Sequence, residues 1–256
     1  MPSFNHECDL FLLTSNYYYH ADNALTRFAR LGARNIDGWG IASYRDGKAA
    51  ILRSADPAFD RQSNDLSREF VIATQAVSSS LVLGHLRLTS SGSLNVVNNH
   101  PFKLNFLEYD WTMIHNGTAA NKRYYLTPAE RLLPESDNDS ARVFEFLRAK
   151  IIDYLQDQRH SLIEGCRYAY SKLLNEDPHG GYNIILSNGY ISFIFIHHRP
   201  FYILNRDKRT GNVTIVSTMK LTENEDWIRV NKLSRKKAKM LVYAGPTLIY
   251  NGDIPR

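Results

Sequence analysis

The chain has 256 residues, of which 43% are hydrophobic, 22% charged and 12% aromatic. This composition is that of a globular protein, and the length suits one large domain. No stretch approaches the roughly 20 apolar residues of a membrane-spanning helix, and the N-terminus lacks the basic and apolar regions of a signal peptide. These features exclude membrane and secreted classes, and we expect a cytoplasmic protein with no membrane partner.

The basic residues and the cysteines exclude further classes. The net charge is +5, but part of this excess falls in residues 231–240, and such a run is usually a solvated turn or helix. No recognisable nucleic-acid-binding module accompanies it, so we expect no nucleic-acid partner. Cys8 and Cys166 are too few for a disulfide framework, and neither they nor His197 and His198 have companions at metal-ligand spacing. We therefore expect no metal and no cofactor.

Short apolar runs predict strands along the whole chain. In the first half they are residues 9–14, 40–44, 49–53, 80–86 and 111–115. In the second half they are residues 182–187, 190–197, 201–204, 213–217, 240–244 and 247–250. We assign residues 17–20 to the loop after the first strand. Asp46-Gly47 and Asn188-Gly189 suit the positive φ angles of tight hairpin turns, so antiparallel pairing should dominate.

Apolar residues that recur at spacings of three and four predict four helices. These are residues 24–31, 66–77, 143–155 and 161–174. Asp137 and Asp139 can cap the third helix or lie in its first turn. Cys166 lies beside apolar residues in the fourth helix and is predicted to be a small buried hydrophobe. No linker or internal repeat divides the chain, so the prediction is a single α+β domain.

Four short segments carry the candidate chemistry. They are CDLFL at 8–12, DGWGIA at 37–42, GHLR at 84–87 and HNG at 115–117. Further motifs are TSSGS at 89–93, NNHPF at 98–102 and SDND at 136–139. In content and order these segments resemble the class II glutamine amidotransferases, in particular their stand-alone DGWG-containing subgroup, over residues 8–227. The resemblance implies the four-layer αββα sandwich of the N-terminal-nucleophile hydrolases, with residues 1–7 as a propeptide-like segment and 8–256 as one amidotransferase domain.

Cys8 is the candidate nucleophile. A free α-amine has a pKa of about 7.7–8 and can take the thiol proton, but only if the Glu7–Cys8 bond is cleaved. Removal of the initiator methionine would expose Pro2, so a separate processing step is required. Some class II amidotransferases carry short propeptides, and a glutamate before the cysteine looks like theirs. In the alternative, Cys8 merely begins a buried strand of an unprocessed chain.

Two charged residues are candidates for holding the substrate. A guanidinium such as that of Arg87 can bind a carboxylate with two charge-assisted hydrogen bonds. The resemblance implies that Arg87 binds the α-carboxylate of glutamine and that Asp137 binds its α-ammonium group. A surface salt bridge for Arg87 and helix capping for Asp137 are the alternatives.

Acyl transfer from an amide passes through an oxyanion, which requires preset hydrogen-bond donors. The resemblance implies that Asn116 and Gly117 supply them, whereas an isolated Asn-Gly pair would be a turn. Trp39 is a candidate for the wall beside the nucleophile, with core packing as the alternative. Ser90 stands where relatives often have threonine and could orient the substrate. His85 and His115 are expected to be structural.

These residues together predict an amidohydrolase. Cys8 would attack the γ-amide of glutamine or of a γ-glutamyl compound, form a thioester, and release ammonia or an amine. The chain leaves no room for a fused synthase domain, so a separate synthase is a possible partner. The alternative is a non-enzymatic, unprocessed protein that binds glutamine or regulates a synthase.

Overall fold

A computed structural model describes residues 7–120, 132–157, 160–207, 212–231 and 237–255. The strands of this part of the chain are β1 (Asp9–His20), β2 (Trp39–Arg45), β3 (Lys48–Ser54), β4 (Phe59–Asp60), β5 (Asp65–Leu66), β6 (Ser78–Leu86), β7 (Phe102–Phe106), β8 (Tyr109–Asn116), β9 (Asn183–Ser187), β10 (Ile191–Ile196), β11 (Phe201–Arg206), β12 (Val213–Ser217), β13 (Ile228–Val230), β14 (Lys237–Ala244) and β15 (Thr247–Pro255). The helices are α1 (Asp22–Leu31), α2 (Arg68–Gln75), α3 (Asp139–Leu155) and α4 (Leu162–Glu176).

Two large antiparallel sheets form the centre of the molecule. The strand order is β13-β11-β12-β1-β6-β2-β3 in the first sheet and β15-β14-β10-β9-β8-β7 in the second. The predicted hairpin turns are confirmed: Asp46, Gly47 and Gly189 all have positive φ angles, of 50°, 75° and 88°. Antiparallel pairing dominates, as predicted.

The sheets and helices stack in four layers because side chains alternate along each strand. On β1, Leu10 and Leu12 point into a core between the two sheets, whereas Phe11 and Leu13 point into a core beneath α1 and α2. A third core lies between the second sheet and helices α3 and α4. The predicted αββα sandwich is therefore confirmed. Burial of one leucine or phenylalanine side chain contributes about 1.5–3 kcal/mol, so these three cores are a principal source of stability.

The structure corrects several local predictions. The first strand continues to His20, so residues 17–20 belong to β1 and not to a loop. Helix α3 is capped by Asn138, whose side chain accepts a hydrogen bond from Ser140 N–H, and not by Asp137 or Asp139. Asp139 lies in the first turn of the helix, which was the other predicted position. Strands β4, β5, β7 and β13 were not predicted. Cys166 is fully buried against α3 and the second sheet, as predicted. None of the helices in the described ranges combines the length and apolar content needed to cross a bilayer.

Candidate active site

Cys8 lies just before β1, the central strand of the first sheet. Because Asp9 pairs with Leu86 across β1 and β6, the residues that follow β6 lie beside Cys8. Its Sγ donates to the carbonyl oxygen of Leu88 at 3.2 Å and accepts from the N–H of Leu88 at 3.3 Å. Loss of hydration on burial raises the pKa of the Cys8 thiol to about 12. With Glu7 still attached, Cys8 is therefore a neutral thiol at neutral pH.

Asn116 and Gly117 approach Cys8 from the second sheet. Asn116 ends β8 and is fully buried, and its Nδ2 donates to the carbonyl oxygen of Cys8. Gly117 has a φ of 140°, and a Cβ at this position would collide with the carbonyl oxygen of Gly181. Only glycine adopts this φ angle readily and has no Cβ to collide with Gly181. The close packing of the two chain segments therefore requires glycine at this position.

Arg87 is buried at the end of β6, which is not the environment of a surface salt bridge. Its guanidinium donates to Asn99 Oδ1 at 2.7 Å and to the carbonyl oxygens of Ser93 and Ser91 at 3.0 and 3.3 Å. Burial lowers the pKa of Arg87 from its ordinary value, although nearby Cys8 and acidic groups oppose this effect. The side chain thus lies beneath the loop of residues 91–99.

Asp137 faces the same loop from the other side. Its carboxylate accepts hydrogen bonds from Ser93 N–H at 3.1 Å and from the Asn98 side chain. These bonds lower the pKa of Asp137, although a small loss of hydration opposes them. Asp137 is not among the residues that line the cavities beside Cys8, whereas its neighbours Asn138 and Asp139 are.

Two adjoining cavities meet at Cys8. The larger, of about 590 Å³, is lined by Glu7, Thr118, His179 and His198 among others. The smaller, of about 20 Å³, reaches Arg87, Asn138 and Asp139. Both share the wall formed by Cys8, Leu88, Thr89, Ser90 and Gly117. Of the predicted site residues, the structure thus brings Cys8, Arg87, Ser90 and Gly117 to these cavity walls, with Asn116 directly behind.

A third cavity, of about 340 Å³, lies at the opposite end of β1. Its lining includes Tyr19, His20, Arg206 and Trp227, and two of its members, Arg206 and Glu225, form an ion pair at 2.8 Å. The described lining contains no cysteine or serine nucleophile. Tyr19 and His20 therefore do not lie near the nucleophile, and the cavities at Cys8 are the candidate active site.

Trp39 lies in the core and not on a cavity wall. It packs edge to face against Phe70 of α2, with ring centroids 5.1 Å apart, and is only 2% exposed. The neighbouring residues of its motif bond to the main chain around Arg87. Gly38 accepts at 2.9 Å from Arg87 N–H, and Asp37 Oδ2 accepts at 2.7 Å from Thr89 N–H. The DGWG segment thus fixes the backbone that carries Arg87, a role that the sequence did not suggest.

Three buried histidines lie side by side at the smaller cavity, whose lining includes His100 and His115. The His85 and His100 rings are 4.2 Å apart, and His115 bonds to Ser140 Oγ at 2.8 Å and to the Gly181 carbonyl at 3.0 Å. Burial lowers the pKa of all three, that of His85 to about 3. They are neutral packing residues at neutral pH, as expected for His85 and His115. In the described ranges, no group of three or more His, Cys, Asp or Glu residues is placed to hold a metal ion.

Sequence reasoning missed an ion-pair cluster at the mouth of the larger cavity. The carboxylate of Glu7 lies 2.9 Å from His198 Nε2 and 3.7 Å from the Arg199 guanidinium. The histidine pair at 197–198 was considered only as a metal ligand set. Nothing in the local sequence links it to Glu7, because the two residues are 191 positions apart.

A four-layer αββα fold with a cysteine at the head of its central strand defines the N-terminal-nucleophile type of amidotransferase domain. Residues 7–209 match the family of class II glutamine amidotransferases, and the chain belongs to this family.

The chain is also similar to relatives in sequence and to solved structures in fold. An uncharacterised protein of Methanocaldococcus jannaschii is 25% identical, over 95% of this chain and 71% of its own length. The Escherichia coli (strain K12) protein YafJ, whose assignment as a glutamine amidotransferase is provisional, is 24% identical over 76% of this chain and 81% of its own length. The structure of a predicted glutamine amidotransferase from Pseudomonas aeruginosa PA01 has a TM-score of 0.59, 19% identity and 96% coverage of both chains.

A larger enzyme shares the fold over part of its length. The glutamine phosphoribosylpyrophosphate amidotransferase of B. subtilis has a TM-score of 0.63 and 14% identity, over 96% of this chain and 49% of that enzyme. At this identity the similarity concerns the fold alone.

Proposed function

We propose that the chain is a cytoplasmic amidohydrolase in which Cys8, after removal of residues 1–7, cleaves the γ-amide of glutamine or of a γ-glutamyl compound. The observation that carries this proposal is the meeting of Cys8, Arg87 and Gly117 at one pair of cavities, with Asn116 bonded to Cys8 from behind. A thiol, a cation for a carboxylate and preset donors are the groups that acyl transfer from an amino-acid side chain requires.

The reaction begins with a proton transfer within Cys8. The freed α-amine takes the proton from Sγ, and the thiolate attacks the γ-carbonyl carbon to give a tetrahedral oxyanion. The C–N bond then breaks, and ammonia or an amine leaves with the proton from the α-ammonium group. Water adds to the resulting thioester, which releases glutamate and restores the thiol.

Asn116 and Gly117 would stabilise the oxyanion. A side-chain amide has two N–H donors, and the bond from Asn116 Nδ2 to the Cys8 carbonyl requires only one of them. The second N–H and the N–H of Gly117 would donate to the oxyanion. Loss of one such donor typically reduces kcat by about 100- to 1000-fold.

Substrate binding requires the loop of residues 91–99 to rearrange. Arg87 bonds to carbonyl oxygens of this loop, and Asp137 accepts from Ser93 and Asn98 within it. A substrate carboxylate would replace neutral acceptors of Arg87 with a charged one, and such charge-assisted bonds are roughly twice as strong. The substrate α-ammonium would then bind Asp137, while Ser90 orients the bound molecule from the cavity wall.

The first test is the intact mass of the purified protein, with N-terminal sequencing and an ammonia-release assay. A chain that starts at Cys8, whose ammonia release disappears in Cys8→Ala and persists in Cys166→Ala, supports the enzyme. Cys166 is the matched control because it is buried in the helical core. A chain that starts at Met1 or Pro2 and binds glutamine without turnover supports the alternative of a regulatory partner for a separate synthase.

A further inference from the structure

The Glu7 carboxylate occupies a small cationic site at the mouth of the larger cavity. His198 Nε2 is 2.9 Å from it and the Arg199 guanidinium 3.7 Å, and the three side chains are at most 33% exposed. Burial alone would raise the pKa of Glu7, but the bond from His198 and the charges of His198 and Arg199 outweigh it and lower that pKa. The site therefore favours a charged carboxylate.

This cationic site is built independently of Glu7. His198 and Arg199 lie in the turn where the chain crosses from β10 in the second sheet to β11 in the first. Fully buried Asn183 fixes that turn: its Oδ1 accepts from the N–H groups of His197 at 3.0 Å and of His198 at 3.2 Å, and its Nδ2 donates to the Arg199 carbonyl at 2.9 Å. The His198 ring packs over the backbone of Gly181. Loss of Glu7 would therefore leave in place the turn that carries both side chains.

The position of the site relative to Cys8 indicates which part of a substrate would reach it. Arg87 lies on the smaller cavity and His198 on the larger, and the two cavities meet at Cys8. Once the loop of residues 91–99 has rearranged to enlarge the smaller cavity, a γ-glutamyl group held by Arg87 would lie on that side with its carbonyl carbon at Sγ. The amine portion of the scissile amide then extends into the second side, which removal of Glu7 opens.

We propose that His198 and Arg199 form a carboxylate-binding site that Glu7 occupies before processing and that the amine portion of the substrate occupies afterwards. This inference rests on the proposed amidohydrolase function. It narrows the substrate class to γ-glutamyl amides whose amine carries its own carboxylate, such as a γ-glutamyl amino acid. Glutamine itself has no group that would reach the site.

The test compares γ-glutamylglycine with γ-glutamylglycinamide, which differ in one terminal charge. For protein that mass measurement shows to start at Cys8, we expect kcat/KM to be at least about tenfold higher for γ-glutamylglycine than for γ-glutamylglycinamide. A ratio of this size corresponds to the free energy of one charge-assisted hydrogen bond. Arg199→Gln and His198→Gln should each bring this ratio close to one, because each lowers the value for γ-glutamylglycine more than the value for γ-glutamylglycinamide. Arg229→Gln, on the exposed edge strand β13, is the matched control and should keep the ratio.

The outcomes separate this inference from the proposed function. Equal turnover of the two compounds by the unsubstituted protein, or an equal loss of both in Arg199→Gln, overturns the cationic site as a substrate site. Absence of any turnover defeats the proposed function, and the two compounds are then titrated by calorimetry. The protein titrated is the chain that starts at Cys8, or Glu7→Ala if the chain is unprocessed. A tenfold binding preference for γ-glutamylglycine that is lost in Arg199→Gln upholds the site. Equal binding of the two compounds, or no binding of either, overturns it.

Discussion

At the scale of single residues, the candidate site depends on main-chain positions as much as on side chains. The Sγ atom of Cys8 is held by both polar groups of the Leu88 backbone. Arg87 is held by the main chain of Gly38, and the Gly117 backbone packs against Gly181. Substitutions that alter the backbone should therefore affect activity as strongly as loss of a functional group.

Gly117→Ala tests this dependence. A non-glycine residue at a φ of 140° costs on the order of 1–3 kcal/mol, and the new Cβ would also collide with the Gly181 carbonyl. We expect the free energy of unfolding, measured by urea denaturation, to fall by at least that amount. We expect kcat/KM, measured by ammonia release, to fall at least about tenfold. Gly165→Ala, within α4, is the control, and its stability should stay within about 1 kcal/mol of the parent. A fully active Gly117→Ala protein would contradict the packing argument.

The reactivity of Cys8 should depend on processing. With Glu7 attached, burial raises the pKa of the thiol to about 12, so little reactive thiolate exists at pH 7.5. Removal of Glu7 reduces burial and leaves an α-ammonium whose positive charge lowers the thiol pKa. We expect iodoacetamide to alkylate Cys8 at least about ten times faster in chains that start at Cys8 than in chains that retain Glu7. Peptide mass mapping measures both rates. Cys166, fully buried, should stay unlabelled until unfolding. Equal rates in both forms would contradict this prediction.

At the scale of elements, the regular strands and helices follow from periodicity, whereas their exact ends and the weaker strands do not. The eleven predicted strands and four predicted helices are all present, with shifted ends. β7 was missed because its sequence alternates apolar and polar residues, whereas the prediction relied on uninterrupted apolar runs. β4, β5 and β13 were missed because each has only two or three residues. Three consecutive polar residues at 137–139 could each cap α3, and only the tertiary contacts of Asn138 select it.

The start of α3 links helix stability to the candidate site. Asn138 caps the helix and also donates to the Asn98 carbonyl at 3.0 Å, while Asp139 and Ser140 beside it line the smaller cavity. We expect Asn138→Ala to lower stability by about 1–2 kcal/mol and also to lower kcat/KM. Ser161→Ala removes the cap of α4, far from these contacts. It should cost about 1 kcal/mol and leave kcat/KM unchanged. A loss of activity in both variants, or in neither, would show that the α3 cap does not position the site.

At the scale of the whole molecule, the alternation of side chains was sufficient to predict an antiparallel α+β domain, but not which residues meet across it. The motifs identified the residues near Cys8 because their family resemblance carries spatial information. Trp39 was expected on the cavity wall and lies in the core instead, because a motif does not state which way a side chain points. The contact of Glu7 with His198 and Arg199 depends on a crossing between sheets that the local sequence does not encode.

The joining of the two sheets leads to a prediction about cooperativity. Tyr44 of β2 is buried between them, and its hydroxyl lies 2.9 Å from the Ser187 carbonyl, 2.8 Å from Thr112 Oγ1 and 3.1 Å from the Asp110 carbonyl of the second sheet. Tyr44→Phe leaves these buried acceptors without their donor, so we expect a loss of about 1–3 kcal/mol in the free energy of unfolding. Tyr18→Phe, which removes an exposed hydroxyl, should change stability by no more than about 0.5 kcal/mol. Because Tyr44 lies at the opposite end of β2 from the candidate site, kcat/KM per folded molecule should stay unchanged.

Urea denaturation should remain one transition with an unaltered slope, since the core between the sheets couples both into one folding unit. Two separate transitions would mean that each sheet and its helices fold independently.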